Sequence, residues 1–177
     1  MHYTKKYTSP IGLITIASDG ENITGLWFDN QKYFGSSLEK ESQEKDLPVL
    51  VQAAQWLDCY FGDKSLPKAP PLKLNGSPFR MEVWKILQSI PYGEVMTYGE
   101  IAAEISKQRG VDKLSAQAVG GAVGHNPISI IVPCHRVVGS NGSLTGFAGG
   151  IEKKIYLLKK EGVSMDRFFV PKKGTAL

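Results

Sequence analysis

The sequence predicts an α+β protein, in which a small N-terminal α/β domain with a three-stranded antiparallel sheet precedes a C-terminal helical domain with a helix-turn-helix. Three observations predict this fold class. The first thirty residues contain short segments rich in β-forming residues, separated by turn signals. Residues 62–77 are rich in proline and glycine and lack a helical period, as is typical of a linker. After this linker, apolar residues recur at helical spacing. We therefore expect domains at residues 1–70 and 77–165.

Three strands and one helix are expected in the N-terminal domain. The strands are HYTKKYTS, GLITIASD and NITGLWFD, and the turn sequences PIG and DGEN between them favour an antiparallel meander. Residues 31–46 are polar and are expected to form a loop. Pro48–Phe61 is expected to be helical because its apolar residues recur at helical spacing. Cys59 lies off this apolar stripe, and we interpret it as a partly buried free thiol.

Four helices are expected in the C-terminal domain. Helix-capping residues begin the first three of them: Ser77, Thr97 and Ser115. Thr97 is followed three residues later by Glu100, which is the spacing of a capping box. A polar connector, residues 106–113, joins the second and third helices and favours a helix-turn-helix. The fourth helix, in GGIEKKIYLLKKEG, is amphipathic and places Ile151, Ile155 and Leu158 on one face.

The composition is ordinary for a globular protein, with a mild preference for polyanionic partners. The 177 residues carry a net charge of +4, with a pI of about 9.0 and 42% hydrophobic residues. No apolar run reaches the length of a membrane span, and no apolar segment follows the basic N-terminus, so we expect a cytoplasmic protein without a signal peptide. Two cysteines and three histidines show no metal-ligand spacing, so we expect no metal site.

The segment IIVPCHRVV places Cys134, His135 and Arg136 side by side between apolar residues. A cysteine becomes a strong nucleophile when positive charge, a helix N-terminus or a base favours its thiolate. Pro133 is typical of a helix start, so we expect Cys134 in the first turn of a short helix, where backbone N–H groups stabilise an anion. Adjacent helical residues point about 100° apart, so His135 would reach the thiol through a water. These residues alone leave a reactive thiol and an inert one equally open.

Two glycine-rich segments lie near this cysteine. Gly120 and Gly121 in the third helix cost about 1 kcal/mol each relative to alanine, which either close helix packing or a position deep in a DNA groove would offset. In the second case Lys107, Arg109 and Lys113 would meet phosphates. The loop VVGSNGSLTGFAGG matches no nucleotide-binding pattern, so we interpret it as a substrate-lining loop that donates backbone N–H groups.

Four segments resemble a known family when taken together: IPYGEVMTYGEIA, AVGGAVGHNP, VPCHRVVGSNGSLTGFAGG and KKEG. They are similar to the O6-alkylguanine-DNA alkyltransferases, also called methylated-DNA–protein-cysteine methyltransferases. The resemblance is close from Ser77 to Gly162 and looser over the N-terminal YTSPIGLITIAS. It implies a small α/β domain followed by a DNA-binding helical domain. The cysteines that bind a structural zinc in some members are missing here.

The resemblance implies five catalytic residues. Cys134 would accept the alkyl group, and His135 would act as its base through a water. Glu161 would orient His135, and Asn126 would brace the active-site turn. Tyr98 would crowd the phosphate of the target nucleotide, help to rotate the base out of the duplex and protonate guanine N3.

The resemblance also implies a DNA interface and a pocket. The residues for DNA binding and base flipping are Ser115, Gln117, Ala118, Gly121 and Tyr98. The pocket residues are Val123, Val137, Leu144, Phe147, Ala148 and Gly149. The carbonyls of Cys134 and Val137 would accept from the exocyclic amine of guanine, and the N–H of Ala148 would face O6. Gln117 stands where the family usually has an arginine, so the strength of base flipping is open, and Arg136 matches a structural arginine.

The activity implied is irreversible, single-turnover transfer of an alkyl group from O6-alkylguanine, and from O4-alkylthymine, in double-stranded DNA to Cys134. No cofactor would be needed, and the protein would act as a monomer. Two other functions are compatible with some of these residues. A protein that binds alkylated bases without reacting is disfavoured by the presence of Cys134. A cysteine hydrolase would turn over repeatedly and would need a carbonyl substrate and an oxyanion hole.

Overall fold

A computed structural model describes residues 1–172 of the chain as two units. The first unit comprises residues 1–75 together with Pro127–Ile131. The second comprises residues 76–126 and the described residues from Val132 onward. The fold class is mixed α+β, as the sequence predicts.

The sheet of the first unit has four strands in the order β3-β2-β1-β4. The strands are β1 (His2–Ser9), β2 (Gly12–Ser18), β3 (Ile23–Phe28) and β4 (Ser42–Glu44). The antiparallel meander β1-β2-β3 is confirmed, whereas the short strand β4 pairs in parallel with β1, inside the stretch predicted as a loop. The three residues of β4 are exposed and polar, so no hydrophobic period marks them. Backbone pairing to the edge of β1 defines this strand.

Helix α1 (Pro48–Phe61) has the predicted bounds and covers the sheet. Its Leu50 and Leu57 are fully buried, and Cys59 is partly buried as expected. All residues of β3 are buried, and Phe34 in the loop after β3 contacts the ring of Trp27. The edge of β3 is also paired: the Leu26 N–H donates to the Pro127 carbonyl at 2.8 Å, and the Ser129 N–H donates to the Leu26 carbonyl at 2.9 Å.

The second unit contains four helices: α2 (Pro78–Ser89), α3 (Tyr98–Arg109), α4 (Ala116–Gly124) and α5 (Ile151–Lys160). Its two short strands, β5 (Met96–Thr97) and β6 (Val137–Val138), pair in parallel. Trp84 of α2 is buried, and its Nε1 donates to the Ala122 carbonyl of α4 at 2.9 Å. None of the helices in residues 1–172 is long and apolar enough to cross a membrane.

The predicted caps are confirmed. The Ser77 hydroxyl accepts from the Arg80 N–H, and Thr97 and Glu100 form a capping box. The Ser115 hydroxyl accepts from the N–H groups of Gln117 and Ala118. Helix α3 extends two residues beyond the predicted Lys107 and ends at Gly110, whose φ of 66° is the left-handed conformation that favours glycine. The connector to α4 is therefore shorter than the predicted residues 106–113.

The apolar face of α5 differs from the prediction. Leu158 is buried, but Ile151 and Ile155 are only half-buried. Lys154, which lies between them on the same face, is fully buried. Hydrophobic periodicity treats lysine as a solvent-facing residue, so it could not indicate this position.

Candidate active site

Cys134 begins a single 3₁₀ turn, Cys134–Arg136, in agreement with the short helix expected there. Pro133 lies before this turn and not inside it. Its φ of −82° and ψ of 64° are those of an inverse γ-turn, in which the Cys134 N–H donates to the Val132 carbonyl at 2.8 Å. The proline ring fixes φ only, and this φ suits a γ-turn as well as a helix. The chain is thus bent sharply just before the cysteine.

A buried ionic cluster surrounds the neighbouring histidine. Nε2 of His135 lies 2.6 Å from Oε1 of Glu161, and both side chains are inaccessible to solvent. Arg136 donates to both carboxylate oxygens, at 2.8 Å from Nε and 3.0 Å from Nη2, and its Nη1 donates to the Ile90 carbonyl at 2.6 Å. The Gly93 N–H donates to Oε2 of Glu161 at 3.3 Å. These bonds fix the orientation of the His135 ring.

The protonation state of His135 follows from these contacts. Burial opposes ionisation of Glu161, but hydrogen bonds from His135 and Arg136 outweigh it and lower the pKa of the carboxyl to about 2. A carboxylate only accepts hydrogen bonds, so Nε2 of His135 carries a hydrogen and Nδ1 carries the lone pair. Nδ1 is buried and has no hydrogen-bond partner among residues 1–172. Burial also lowers the pKa of His135, so Nδ1 of a neutral imidazole can accept a proton.

The Cys134 thiol is protonated in the resting protein. It is only 5% exposed, and burial raises its pKa. A hydrogen bond from the Asn126 side chain, the positive charge of Lys154 and the backbone N–H groups of the turn oppose this effect without overcoming it. The expectation that helix N–H groups stabilise the thiolate therefore holds in direction but not in net effect, because burial dominates. A base is needed to form the nucleophile.

Asn126, which follows the end of α4, and Tyr98, which begins α3, both interact with the cysteine. Nδ2 of Asn126 donates to the Val132 carbonyl at 2.9 Å, so this side chain fixes the γ-turn that precedes Cys134. Tyr98 is the first residue of α3, and its hydroxyl donates to the Thr145 carbonyl at 2.9 Å. Burial raises the pKa of Tyr98, and negative charge on Cys134 raises it further. Tyr98 is therefore a neutral proton donor.

Four of the five candidate DNA-binding residues lie on the exposed side of α4, whereas the fifth, Tyr98, is buried at the start of α3. Ser115, Gln117 and Ala118 are exposed and Gly121 is half-buried, whereas Gly120 is buried. A Cβ atom at Gly121 would meet no atom within 4 Å. Close helix packing, the alternative for the paired glycines, therefore does not explain Gly121.

A groove runs between α3 and the start of α4. Among its lining residues are Lys107, Lys113, Ser115 and Gln117, so two lysines lie beside the exposed end of α4. Arg109 is bound elsewhere: its Nε and Nη2 donate to the Glu82 carboxylate at 2.9 and 3.0 Å. The expectation that Arg109 meets phosphates is not supported by this ion pair.

The candidate pocket residues differ in their surroundings. Four of them are buried: Val123, Val137, Leu144 and Phe147. Ala148 and Gly149 are half-buried in the loop before α5. Leu144 packs with Val138 and Leu158 in a buried apolar cluster.

The sequence patterns do not identify two residues of the site, Lys154 and Gly93. Lys154 donates to the Val137 and Thr145 carbonyls, and its only signal was its helical spacing within the apolar stripe of α5. Gly93 has a φ of 81°, and a Cβ there would lie 2.9 Å from the Glu161 carbonyl oxygen. The sequence marks Gly93 only as a helix stop, because the partner lies 68 residues away.

The arrangement joins a thiol, a neutral imidazole with a free lone pair, and a neutral phenol. Such a set suits transfer of a group to sulfur, with one proton leaving the thiol and another delivered to the leaving group. Within residues 1–172, no group of three or more His, Cys, Asp or Glu side chains could hold a metal ion.

Two family models match the chain. The description "6-O-methylguanine DNA methyltransferase, DNA binding domain" covers residues 78–163, and "6-O-methylguanine DNA methyltransferase, ribonuclease-like domain" covers residues 1–74.

Curated relatives share this similarity over nearly their whole length. The methylated-DNA–protein-cysteine methyltransferase of Haemophilus influenzae is 42% identical over 164 residues, which are 92% of this chain and 87% of the relative. The constitutive enzyme of that name from Bacillus subtilis is 36% identical over 166 residues, 93% of this chain and 98% of the relative.

Solved structures of similar fold include the O6-methylguanine methyltransferase of Mycobacterium tuberculosis. Its crystal structure has a TM-score of 0.76 and 40% identity, and the match covers 98% of this chain and 97% of that one. The complex of the same organism's protein with DNA has a TM-score of 0.75 and 41% identity, and the match covers 90% and 91% of the two chains.

Proposed function

The chain belongs to the 6-O-methylguanine DNA methyltransferase family, and on that premise we propose that Cys134 takes the alkyl group of O6-alkylguanine in duplex DNA. The activity is DNA repair by alkyl transfer from methylated DNA to a protein cysteine. One observation carries the choice of Cys134 over Cys59: it adjoins a fully buried His–Glu pair whose free nitrogen can accept a proton.

The proposed reaction starts with the thiol proton. It passes through a water to Nδ1 of His135, and Glu161 stabilises the imidazolium that forms. The thiolate attacks the alkyl carbon, the carbon–sulfur bond forms, and the bond from that carbon to O6 breaks. The electron pair of the broken bond goes to guanine, which takes a proton at N3 from the Tyr98 hydroxyl. The proton on His135 then returns to the Tyr98 oxygen through solvent, so charge and protons balance.

The product limits each protein molecule to one reaction. The thioether on Cys134 has no carbonyl for water to attack and no good leaving group. Regeneration of the thiol would need a different chemistry from the one that consumed it. Stoichiometric consumption of the protein is therefore expected.

The exposed side of α4 is the proposed DNA-binding surface. The lesion lies inside the base stack, so the nucleotide must rotate out, at a cost of a few kcal/mol. Gln117 is exposed at the start of α4, where its side chain can reach the space left by the base. Lys107 and Lys113 in the adjacent groove supply phosphate contacts. Gln117 stands where the family usually has an arginine. Glutamine lacks the positive charge of arginine, and this difference sets how well it can replace arginine in base flipping.

Gly121→Ala should separate helix stability from DNA binding. The new methyl group has open space in the free protein, so the helix should gain about 1 kcal/mol. In the proposed complex, the same methyl group would clash with the DNA that lies against α4. The Kd for duplex should therefore rise about fivefold or more. Urea denaturation and fluorescence anisotropy measure the two effects. Reaction with the free base O6-methylguanine is the control and should be unchanged. A duplex Kd equal to wild type would remove Gly121 from the interface.

A duplex with one O6-methylguanine tests the proposed function directly. After incubation with excess duplex, the peptide with Cys134 should carry one added methyl group, at one equivalent per protein, and the peptide with Cys59 should carry none. Binding with both peptides unmodified would support the non-reacting binding protein instead. Product in excess of protein would support a hydrolase. A duplex with O4-methylthymine extends the test to the second lesion.

We further propose that the protein acts as a monomer in the cytoplasm. Both cysteines are free thiols, as a reducing compartment would keep them. The proposed site uses side chains of one chain only. Sedimentation at micromolar concentration, with and without duplex, measures the oligomeric state, and a dimer would contradict the proposed monomer.

A further inference from the structure

Lys154 of α5 is the most unusual buried group near Cys134. Its side chain has no exposed area, although lysine is almost never fully buried unless it is paired. No carboxylate pairs with it in the part of the chain that the structure describes. Its Nζ donates instead to two backbone carbonyls, those of Val137 and Thr145, the latter at 2.9 Å. The buried ammonium of Lys154 therefore has no anionic partner among the described residues.

The two carbonyls connect Lys154 to the segment that follows Cys134 and to the hydrogen-bond partner of Tyr98. Val137 directly follows the turn that carries Cys134, so one bond ties α5 to the end of that turn. The Thr145 carbonyl also accepts from the Tyr98 hydroxyl at 2.9 Å, and Nζ of Lys154 lies 5.9 Å from the centre of the Tyr98 ring. One carbonyl oxygen is thus shared by the buried lysine and the proposed proton donor.

This sharing matters because Tyr98 must change partner. In the resting protein its hydroxyl is bonded to Thr145, and it cannot bond to a guanine nitrogen until that bond is released. A buried carbonyl left without a donor is costly. Since Lys154 still donates to the same oxygen, Tyr98 can leave without stranding it.

The charge of Lys154 matters separately. Before proton transfer His135 is neutral and the charge of Arg136 is matched by Glu161, so Lys154 is the buried positive charge that is already present when the thiolate forms. Burial lowers the pKa of Lys154 to about 8, and negative charge on Cys134 raises it, so formation of the thiolate favours the protonated lysine. It remains positive while negative charge moves from sulfur to the departing guanine and the Tyr98 oxygen.

We propose that Lys154 is a positioning residue for alkyl transfer, which supplies the buried positive charge for the Cys134 thiolate and holds the Thr145 carbonyl while Tyr98 turns to the base. This inference rests on the proposed function for its last step only. The effect on the thiolate concerns the protein alone and is measurable without DNA.

The test compares Lys154→Met with Lys159→Met, which removes the same charge from an exposed position of the same helix. The rate at which iodoacetamide modifies Cys134, followed on its peptide across pH, gives the pKa of the thiol. The titrating groups near Lys154 in that profile are Cys134, Tyr98 and His135. Lys154→Met should raise the thiol pKa by about one unit, so modification at neutral pH should slow about tenfold. Lys159→Met should match wild type.

Alkyl transfer is the second readout. At a temperature where circular dichroism shows both variants folded, Lys154→Met should transfer from an O6-methylguanine duplex more slowly than its thiol pKa alone explains, because Tyr98 is also impaired. An unchanged thiol profile together with a wild-type transfer rate would overturn the proposal. Wild-type protein that leaves Cys134 unmethylated would refute the proposed function, while the iodoacetamide profiles would still decide the role of the charge.

Lys154→Gln keeps the test decisive if the methionine variant fails to fold. Glutamine can donate to one of the two carbonyls but carries no charge. The folded variant should still show the raised thiol pKa. A wild-type thiol pKa in Lys154→Gln would show that hydrogen bonding alone accounts for the residue, and the charge role would be wrong.

Discussion

Cys134→Ala is expected to abolish alkyl transfer completely while duplex DNA still binds. The sulfur is the only atom of the site that forms a bond to the alkyl carbon in the proposed reaction, so no residual path remains. Binding should persist because the residue is 5% exposed and lies off the proposed DNA-binding surface on α4. Radiolabel transfer from a methylated duplex and anisotropy on the same duplex measure the two properties.

The matched control is Cys59→Ala. Cys59 is the other free cysteine and lies on α1, so its loss should leave the amount and rate of transfer unchanged. Transfer that persists in Cys134→Ala but disappears in Cys59→Ala would reassign the acceptor. Loss of duplex binding in Cys134→Ala would show that the cysteine belongs to the DNA contact surface.

Glu161→Gln should both destabilise the protein and slow transfer. The substitution keeps the shape but leaves the buried guanidinium of Arg136 without its counter-charge, which costs about 3–5 kcal/mol for a buried pair. The amide also cannot stabilise an imidazolium on His135 as a carboxylate does. Urea denaturation gives the free energy of unfolding, and single-turnover kinetics gives the rate. Glu152→Gln, in the exposed first turn of α5, is the control and should change stability by less than about 0.5 kcal/mol.

The acid sensitivity of stability should change with the same substitution. The pKa of Glu161 in the folded protein is about 2, below its ordinary value of 4.5. Its contribution is therefore fully present above the ordinary value and is lost as the pH falls toward 2. Glu161→Gln should flatten the unfolding free energy over this acidic range relative to wild type. If the free energy of unfolding of the variant fell as steeply with decreasing pH as that of wild type, other carboxylates would be responsible for the acid sensitivity.

The local parts of this fold could be predicted from the sequence. Helix caps such as Thr97 with Glu100 depend on residues three positions apart, so a short segment contains all the information. The strands β1 to β3 follow from turn residues and β-forming side chains. Strand β4 could not be predicted, because its exposed polar residues are held by pairing with β1 across a stretch of chain.

The site was predictable only where chemistry is concentrated in one segment. Cys134, His135 and Arg136 are adjacent in sequence, so the segment itself indicates a candidate site. Glu161 ends an ordinary charged helix, and only the resemblance to a family identifies it as a site residue. Lys154 was missed because lysine is expected in solvent, and its two carbonyl partners are backbone groups that no residue pattern reveals. The net effect of burial on the Cys134 thiol likewise depends on packing and not on neighbours in sequence.

The cluster around Glu161 also has a consequence for biosynthesis. Glu161 is bonded to Gly93, His135 and Arg136, so its contacts span up to 68 residues of chain. A nascent chain whose helix α5 is still inside the ribosome has an exposed cysteine segment but lacks the carboxylate that orients its base. Contacts of such long range form late in folding. The nucleophile therefore has an oriented base only after α5 has been synthesised and Glu161 has bonded to His135.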